Sequence, residues 1–196
     1  SMLPKKYFPD MISNISNELT PMVPTGRMIT KEHPASRVVF IGPCAAKKLE
    51  ASRRSVRSEV DFVITFEELE GMFRAKEIDF DIMPEDEISD ATGAGRGYGV
   101  AGGVAAAIES CIKEYYPGVE VKIEHAEGLA DCKKMLMLAK AGKKSGCLIE
   151  GMGCPGGCVA GAGTNLSIAK AAQAVKKFAQ QADKRIPDKE EENQIG

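Results

Sequence analysis

Hydrophobic positions along the chain follow two different periods, which together predict an α/β fold. The segments 37–41 and 61–64, each a continuous apolar run after one charged residue, are typical of buried strands in parallel sheets. Strict alternation of apolar and charged residues at 119–124 predicts a half-exposed strand, and a further apolar run at 146–150 predicts a fourth. Because these strands alternate with helical segments, we expect largely parallel sheets flanked by helices.

Capping residues mark two of the predicted helices. Thr65 and Glu68 have the spacing of a capping box, in which each residue satisfies a backbone N–H of the other, in front of a helix at 66–75. Another helix is predicted at 132–141. Gly142 follows it and can supply the left-handed residue that commonly ends a helix.

Other segments are assigned from apolar spacing and from prolines. Apolar residues at 8–15 predict a helix that stops at a proline-marked turn at 20–24, and helix is expected again at 26–32. The polar segment 51–60 predicts an exposed loop. The apolar face at 168–182 predicts a long amphipathic helix.

Composition limits the classes of function. The length of 196 residues suits one domain, which we place at 1–183, followed by a charged tail at 184–196 that is expected to be disordered. A net charge of −2 gives no electrostatic case for nucleic-acid binding. No membrane span is predicted, and with no recognisable secretion signal we expect a cytoplasmic protein.

The six cysteines fall into two groups. In a reducing compartment thiols serve as ligands, catalysts or small buried hydrophobes rather than as disulfides. Three cysteines lie inside predicted helices or strands and are expected to pack in the core, namely Cys111, Cys132 and Cys147. The other three are surrounded by glycine, proline and alanine, namely Cys44, Cys154 and Cys158.

The glycine-rich cysteine segments predict a metal site. Residues 153–158 read G-C-P-G-G-C, and residues 42–48 read G-P-C-A-A-K-K. Glycines allow positive φ and close wrapping of a ligand, and they leave N–H groups able to point at anionic sulfur. We therefore expect an iron–sulfur or related site built from loops that are distant in sequence.

Other chemistries fit these residues less well. Structural zinc usually takes two cysteine pairs or cysteines with paired histidines, and the two histidines here, His33 and His125, stand far apart. A thioredoxin-like pair has the spacing C-x-x-C, which this chain lacks. The glycine-rich segment 93–104 could suggest a phosphate loop, but no buried strand precedes it, so close backbone packing is favoured. A four-cysteine cluster remains open, with one ligand missing.

The order of these motifs resembles the catalytic, H-cluster-binding domain of the [FeFe]-hydrogenases. Residues 43–50 (P-C-A-A-K-K-L-E) match that family's M-P-C-x-x-K-x-x-E signature, and residues 152–158 match its M-x-C-P-G-G-C signature. Residues 93–104 resemble the family's G-A-G-x-x-F-G-x-x-G-G-V. Ser16 and the Thr20–Pro21 pair resemble its serine-rich element. The resemblance implies one lobe of an iron-only hydrogenase-like fold.

The resemblance also implies a set of metal ligands. Cys44, Cys154 and Cys158 would be thiolate ligands of a [4Fe–4S] cluster, and Cys158 would bridge to the diiron subcluster that carries CO and cyanide. Lys47 would donate to a cyanide of that subcluster, a role that suits a compact ammonium group. On this basis Cys158 and Lys47 are assigned as catalytic.

Further residues are assigned to the pocket by the same resemblance. Pro43, Gly99, Tyr98 and Met152 would line the cofactor, with Tyr98 replacing the family's phenylalanine. Ser16 matches a hydroxyl of the family's proton path and is counted as catalytic. Ordinary alternatives stay open for two motif residues, because Lys47 could be a solvated lysine and Glu50 a helix-pairing carboxylate.

Departures from the family pattern bear on activity. The family's first signature, T-S-C-C-P, is absent, and with it the fourth cluster ligand. Gly42 stands where productive enzymes usually have methionine, and Met22 where they often have glutamine, as in a divergent, sensory-type branch. No C-x₂-C-x₂-C ferredoxin run is present to carry electrons.

These features predict part of an oxidoreductase domain for reversible H₂ oxidation and proton reduction in anaerobic metabolism. The fragment itself is expected to be metal-free and inactive. Its partners would be H₂ and protons, with ferredoxin or a cluster-bearing domain as electron carrier, and association of two copies over an exposed apolar wall is left open. The alternatives are a hydrogen or redox sensor, or an iron–sulfur protein without hydrogen chemistry.

Overall fold

The computed structural model describes residues 2–88 and 90–189. In chain order, these residues form the helices α1 (Met2–Tyr7), α2 (Met22–Glu32), α3 (Ala46–Ser52), α4 (Phe66–Ala75), α5 (Gly93–Arg96), α6 (Gly103–Tyr115), α7 (Gly128–Lys140) and α8 (Ile168–Gln180). The strands are β1 (Val39–Ile41), β2 (Phe62–Ile64), β3 (Lys122–Glu127) and β4 (Cys147–Met152). Short 3₁₀ segments lie at Pro9–Asn14, Phe80–Ile82, Gly97–Gly99 and Cys158–Ala160.

The chain divides into two compact units. Within the described residues, unit 1 comprises 2–16, 87–160 and 167–189, and unit 2 comprises 17–86 and 161–166. Unit 1 therefore holds α1, α5 to α8, β3 and β4, and unit 2 holds α2 to α4, β1 and β2. The segment after Cys158 crosses from unit 1 to unit 2.

Both sheets are parallel pairs, as the sequence predicts. β1 pairs with β2 in the register Val39 to Phe62 in unit 2. β3 pairs with β4 from Lys122 opposite Cys147 to Glu127 opposite Met152 in unit 1. The described residues form two separate two-stranded sheets rather than one continuous sheet.

The prediction that the first two strands are fully buried is wrong for the described residues. Val39 is 42% exposed, Ile41 is 45% exposed and Phe62 is 60% exposed. A two-stranded sheet has two faces, and its burial depends on what covers each of them. The apolar runs therefore predicted the positions of the two strands correctly but not their burial.

Helix α4 begins with the predicted capping box. The Thr65 hydroxyl accepts the N–H of Glu68 at 3.2 Å, and the Glu68 carboxylate accepts the N–H of Thr65 at 2.8 Å. Thr65 is buried, and its neighbour in space is Gly163, where an added Cβ would lie 2.3 Å from the Thr65 Cβ. The cap thus fixes the start of α4, and the close approach of Gly163 to Thr65 places the 161–166 segment against this end of the helix.

Helix α7 ends as predicted and starts earlier than predicted. Gly142 has φ +75° and donates its N–H to Ala139 O at 2.9 Å, while Lys143 N–H donates to Leu138 O at 3.1 Å. This is the Schellman arrangement, which satisfies the last carbonyls of a helix. The helix begins at Gly128, before the predicted start at residue 132, because Gly128 at φ +82° turns the chain directly out of β3.

Helix α2 also begins before its predicted start. It starts at Met22 rather than at residue 26, with Pro21 as N-cap and Pro24 in the first turn. Prolines are tolerated there because the first N–H groups of a helix have no partner within the helix. The predicted helix at 8–15 is instead a 3₁₀ segment at Pro9–Asn14.

Residues near both ends of unit 1 are held by defined contacts. Lys140 pairs with Asp10 at 2.6 Å. In the predicted tail, Lys184 O and Arg185 O accept the N–H groups of Gly93 and Ala94, each at 2.8 Å. Residues 190–196 of that tail lie outside the described residues. In the part of the chain that the structure describes, no helix is long and apolar enough to cross a membrane.

Candidate metal centre

The loop that follows β4 carries two of the predicted ligands in unit 1. Its two central glycines, Gly156 and Gly157, both have φ +92°. The N–H of Gly157 donates to Cys154 O at 3.0 Å, which closes a tight turn between Cys154 and Cys158. Both thiols are half-buried. The positive φ values explain why glycine occupies both positions.

The glycine-rich segment before α6 packs directly on this loop. Ala101 N–H donates to Gly156 O at 3.0 Å. A Cβ added at Gly157 would lie 2.5 Å from Ala101 N and 2.8 Å from Gly99 O. The backbone of the glycine-rich segment is therefore in direct contact with the backbone of the cysteine loop. This is the close backbone packing that we expected for the segment.

The amides of the loop are used differently from the prediction. We expected glycine N–H groups to point at anionic sulfur. In the structure, Gly156 N–H donates to the Glu127 carboxylate at 2.7 Å, and Gly157 N–H donates to the Cys154 carbonyl. Glu127 is the last residue of β3, so the sheet itself anchors the loop.

Glu150 is a structural residue that sequence reasoning missed. Its side chain is 8% exposed, and it lies on β4 two residues before Met152. Its carboxylate accepts the N–H groups of Gly102 at 2.6 Å, Val104 at 3.0 Å and Ala105 at 3.1 Å. These are orphan donors at the start of α6, whose N-cap, Gly102, has no side chain.

The sequence contains indications of this role of Glu150, but the residues that give them lie far apart along the chain. An acidic residue within an apolar strand needs a partner when it is buried. A glycine at the start of a helix leaves the first amides without a side-chain acceptor. His125 Nδ1 also lies 3.3 Å from Glu150, on the neighbouring strand. Strand β4 thus holds the glycine-rich segment in place against the cysteine loop.

The second motif lies in unit 2, between β1 and α3. Cys44 is half-buried, and its carbonyl accepts the N–H of Lys47 at 3.1 Å in the turn that starts α3. Gly42 is buried, and a Cβ there would lie 3.0 Å from the ring of Phe40. The Phe40 ring therefore occupies the space that a larger residue at position 42 would need.

Lys47 is paired rather than solvated. Its ammonium donates to Glu50 at 2.5 Å, and the Thr20 hydroxyl donates to the other oxygen of Glu50 at 2.6 Å. The side chains of Lys47 and Glu50 are 19% and 23% exposed. Partial burial acts to raise the pKa of Glu50, but the hydrogen bonds from Lys47 and Thr20 outweigh it, so the pKa lies below its ordinary value.

The glycines after the third motif reach the second motif within unit 2. Gly163 N–H donates to Pro43 O at 3.0 Å, and Gly163 O accepts the N–H of Glu67 at 3.2 Å. Gly163 therefore links the residue before Cys44 to the first turn of α4. The lack of a side chain at Gly163 is required by its contact with Thr65.

The remaining predicted site residues lie in unit 1. Ser16 is exposed and follows the 3₁₀ segment Pro9–Asn14. Tyr98 and Gly99 are half-buried in the 3₁₀ segment Gly97–Gly99. Met152 is half-buried at the end of β4. Unit 1 thus carries two of the predicted ligands, Cys154 and Cys158, together with Ser16, Tyr98, Gly99 and Met152. Unit 2 carries Pro43, Cys44 and Lys47.

Cys132 is half-buried on α7, as expected for a packing cysteine. Its thiol donates to Met152 O at 3.5 Å and to Ala126 O at 3.6 Å. Burial, together with the nearby Asp131 charge, raises the pKa of this thiol. Cys132 is therefore a poor candidate for a metal ligand.

The donor types of the cysteine loop fit an iron–sulfur cluster. The loop presents two half-buried thiols on a turn that only glycine can form. Within residues 2–88 and 90–189, no group of three or more histidine, cysteine or acidic side chains is gathered closely enough to hold a metal ion. The loop alone therefore offers a cysteine pair rather than a complete ligand set.

Comparison with known proteins assigns the family. A family model described as iron only hydrogenase large subunit, C-terminal domain, matches residues 2–162. The chain belongs to this family. It is 28% identical over 203 residues to the periplasmic [Fe] hydrogenase large subunit of Nitratidesulfovibrio vulgaris, covering 80% of this chain and 47% of the relative. The chain thus spans about half the length of this curated hydrogenase.

Two further likenesses concern a different relative and the fold. The chain is 37% identical over 76 residues to the cytosolic Fe-S cluster assembly factor NAR1 of Kluyveromyces lactis, covering 39% of this chain and 16% of that protein. Its fold matches the apo [FeFe]-hydrogenase of Chlamydomonas reinhardtii with a TM-score of 0.72 at 21% identity, covering 93% of this chain and 65% of that one. The α/β, hydrogenase-like fold predicted from the sequence is confirmed.

Proposed function

We propose that the chain is part of an H-cluster-binding domain of an [FeFe]-hydrogenase-type oxidoreductase. The observation that carries the proposal is the close packing of residues 99–101 on the loop that bears Cys154 and Cys158. Such packing holds backbone against the two glycines that lie between a pair of half-buried thiols, which suits a site that holds an inorganic cluster. Family membership supports the same class of function.

In this proposal three thiolates hold a [4Fe–4S] cluster, namely Cys44, Cys154 and Cys158. Cys158 would also contribute its thiolate to the diiron CO/CN⁻ subcluster. When bound, the H-cluster supplies the electron and hydrogen chemistry of the reaction 2H⁺ + 2e⁻ ⇌ H₂. The protein's own part is to provide thiolates, to orient donors and to exclude water.

The Lys47–Glu50 pair suits the proposed role of Lys47. An ammonium group has three N–H donors, and Glu50 takes one of them. Among the described residues the other two have no acceptor, so they can serve an anionic ligand of the diiron unit. Because the pKa of Glu50 is lowered, its carboxylate stays ionised and fixes the orientation of the charged lysine.

The other proposed residues either line the cofactor or take part in proton transfer. Four residues are proposed to line the cofactor, namely Pro43, Tyr98, Gly99 and Met152. Ser16 is proposed to take part in proton transfer. Gly99 and Met152 adjoin elements already tied to the cysteine loop, since Gly99 belongs to the packed segment and Met152 ends β4. The electron carrier is proposed to be ferredoxin or a cluster-bearing domain, and the compartment to be cytoplasmic.

Two alternatives remain in view. A hydrogen or redox sensor would bind the same cofactor and turn over slowly, which the presence of Gly42 and Met22 favours. An iron–sulfur protein without hydrogen chemistry is supported by the likeness to the cluster assembly factor NAR1. The isolated chain is proposed to be inactive under each of these alternatives.

Anaerobic reconstitution with iron and sulfide tests the cluster part of the proposal. Because the fragment by itself is expected to be metal-free, the full-length protein is reconstituted, and we expect it to take up iron and sulfide and to give the EPR signal of a reduced cubane. The Cys154→Ser and Cys158→Ser variants should lose most of the bound iron, and the control Cys147→Ser should retain it. Equal iron content in the three variants would show that the loop does not hold the cluster.

A further inference from the structure

Unit 2 contains a cavity that plays no part in the proposed cluster site. It has a volume of about 450 Å³ and lies between the end of α2, the start of β1 and the loop after α3. Four arginines line it, namely Arg37, Arg53, Arg54 and Arg57. The hydroxyl-bearing residues of the lining are Thr30, Ser36, Ser52 and Ser58. The wall is thus cationic, although the whole chain has a net charge of −2.

The loop that carries three of these arginines is firmly anchored. Arg27 donates from Nε to Arg57 O at 3.1 Å and from Nη2 to Val56 O at 2.9 Å. Ser58 is 3% exposed, and the absence of a side chain at Gly26 admits its carbonyl, since a Cβ there would lie 2.6 Å from Ser58 O. The loop is therefore a defined structure rather than a loose connection.

The backbone of the loop is strained at the cavity. Arg57 has φ +49° and Glu59 has φ +56°, a left-handed conformation that is unfavourable for residues with a Cβ. Glycine would be the less strained choice at either position. Backbone strain that persists at a lined cavity is a common feature of ligand-binding loops.

The charges around the cavity do not cancel. Arg37 is paired with Asp61 at 2.8 Å, and the N–H of Val38 together with Arg37 keeps the pKa of Asp61 below its ordinary value. Among the described residues, the guanidinium groups of Arg54 and Arg57 have no hydrogen-bond or ion-pair partner. Glu59 is the other carboxylate of the lining, and its side chain is exposed.

We propose that this cavity binds a small phosphorylated molecule, with Arg54 and Arg57 as the phosphate ligands. The planar guanidinium fork matches a phosphate group in a bidentate manner. A volume of about 450 Å³ falls within the usual range of small-molecule sites and exceeds the needs of one phosphate ion. The hydroxyls of Ser52 and Ser58 already donate to backbone carbonyls, so the hydroxyls of Thr30 and Ser36 are the ones that suit the polar remainder of the ligand.

The lining also narrows the class of ligand. Among the described residues that line the cavity there is no aromatic side chain on which a nucleobase could stack. A phosphorylated polyol therefore fits better than a nucleotide. This site is independent of the proposed cluster chemistry, because none of its lining residues belongs to the cysteine motifs.

Isothermal titration of the whole chain with glycerol 3-phosphate and with inorganic phosphate, at low ionic strength, tests the proposal. We expect glycerol 3-phosphate to bind, and to bind more tightly than inorganic phosphate, because its polyol part also contacts the polar lining. The double variant Arg54→Ala, Arg57→Ala should lose at least about tenfold in affinity. The double variant Arg74→Ala, Lys76→Ala removes the same charge elsewhere in unit 2 and should bind as the wild type does.

The single variant Arg57→Gly separates binding from folding. It removes one guanidinium and relieves the positive φ, so we expect weaker binding together with a higher melting temperature. The proposal is overturned if neither probe binds at millimolar concentration. It is equally overturned if the charge-matched control loses as much affinity as the cavity variant.

Discussion

Replacement of Glu150 by glutamine is the sharpest test of how the cysteine loop is supported. The substitution keeps the shape of the side chain and removes its charge. At present its two oxygens accept the N–H groups of Gly102, Val104 and Ala105 at 2.6, 3.0 and 3.1 Å. Glutamine offers a single acceptor oxygen, so its NH₂ group would face at least one backbone donor.

The expected loss follows from these contacts. Removal of a helix N-cap costs about 0.5–2 kcal/mol, and a negative charge at a partly buried helix N-terminus contributes up to about 2 kcal/mol. A buried N–H left unpaired costs about 1–3 kcal/mol. Because these figures describe the same contacts, they overlap, and we expect Glu150→Gln to lower the free energy of unfolding by about 2–4 kcal/mol.

Urea unfolding followed by circular dichroism measures this loss. The control is Glu120→Gln, which removes a carboxylate from an exposed residue before β3 and should change stability by less than about 0.5 kcal/mol. If Glu150→Gln were as stable as this control, the carboxylate would not be holding the start of α6. Strand β4 would then not be what holds the glycine-rich segment in place.

Three further outcomes follow from the structure. Gly157→Ala should lower the free energy of unfolding by about 3 kcal/mol or more, because the added Cβ would collide with backbone atoms. The control Gly142→Ala has open space around its Cβ and should lose about 1–2 kcal/mol for its positive φ alone. Equal losses of the two variants in thermal unfolding would contradict this. Because the pKa of Glu50 is lowered, its ionised form stabilises the fold above about pH 4.5, and this stability is lost as the pH falls through the lowered pKa. Below about pH 4.5, the free energy of unfolding should therefore fall less steeply with decreasing pH in Glu50→Gln than in the wild type. A slope identical to that of the wild type would exclude that role. The raised pKa of Cys132 predicts slower alkylation in the folded protein than in urea at mildly alkaline pH, measured by mass spectrometry, and equal rates would refute its burial.

Features governed by nearby residues could be predicted from the sequence. Thr65 and Glu68 are three residues apart, and their capping box depends on local geometry, so its prediction is confirmed. Gly142 ends α7 for the same reason. The parallel pairing of the strands also follows from local patterns, because buried-type runs alternate with helices.

Features governed by distant residues could not be predicted in the same way. The capping of α6 joins Glu150 to Gly102 across 48 positions, and neither residue alone reveals its partner. The Lys47–Glu50 pair has helical spacing, but Thr20, which completes it, comes 30 residues before Glu50. The predicted burial of β1 was wrong because the apolar residues of a strand do not reveal which other elements pack on its two faces.

Infrared spectroscopy is the decisive measurement for the assignment of an H-cluster. The sample would be the full-length gene product, produced anaerobically together with the machinery that assembles the diiron unit, with Cys158→Ala as the matched control. We expect bands in the CO and cyanide stretching region that disappear in Cys158→Ala. Iron and sulfide bound without such bands would contradict the assignment of an H-cluster and would leave only a [4Fe–4S] protein.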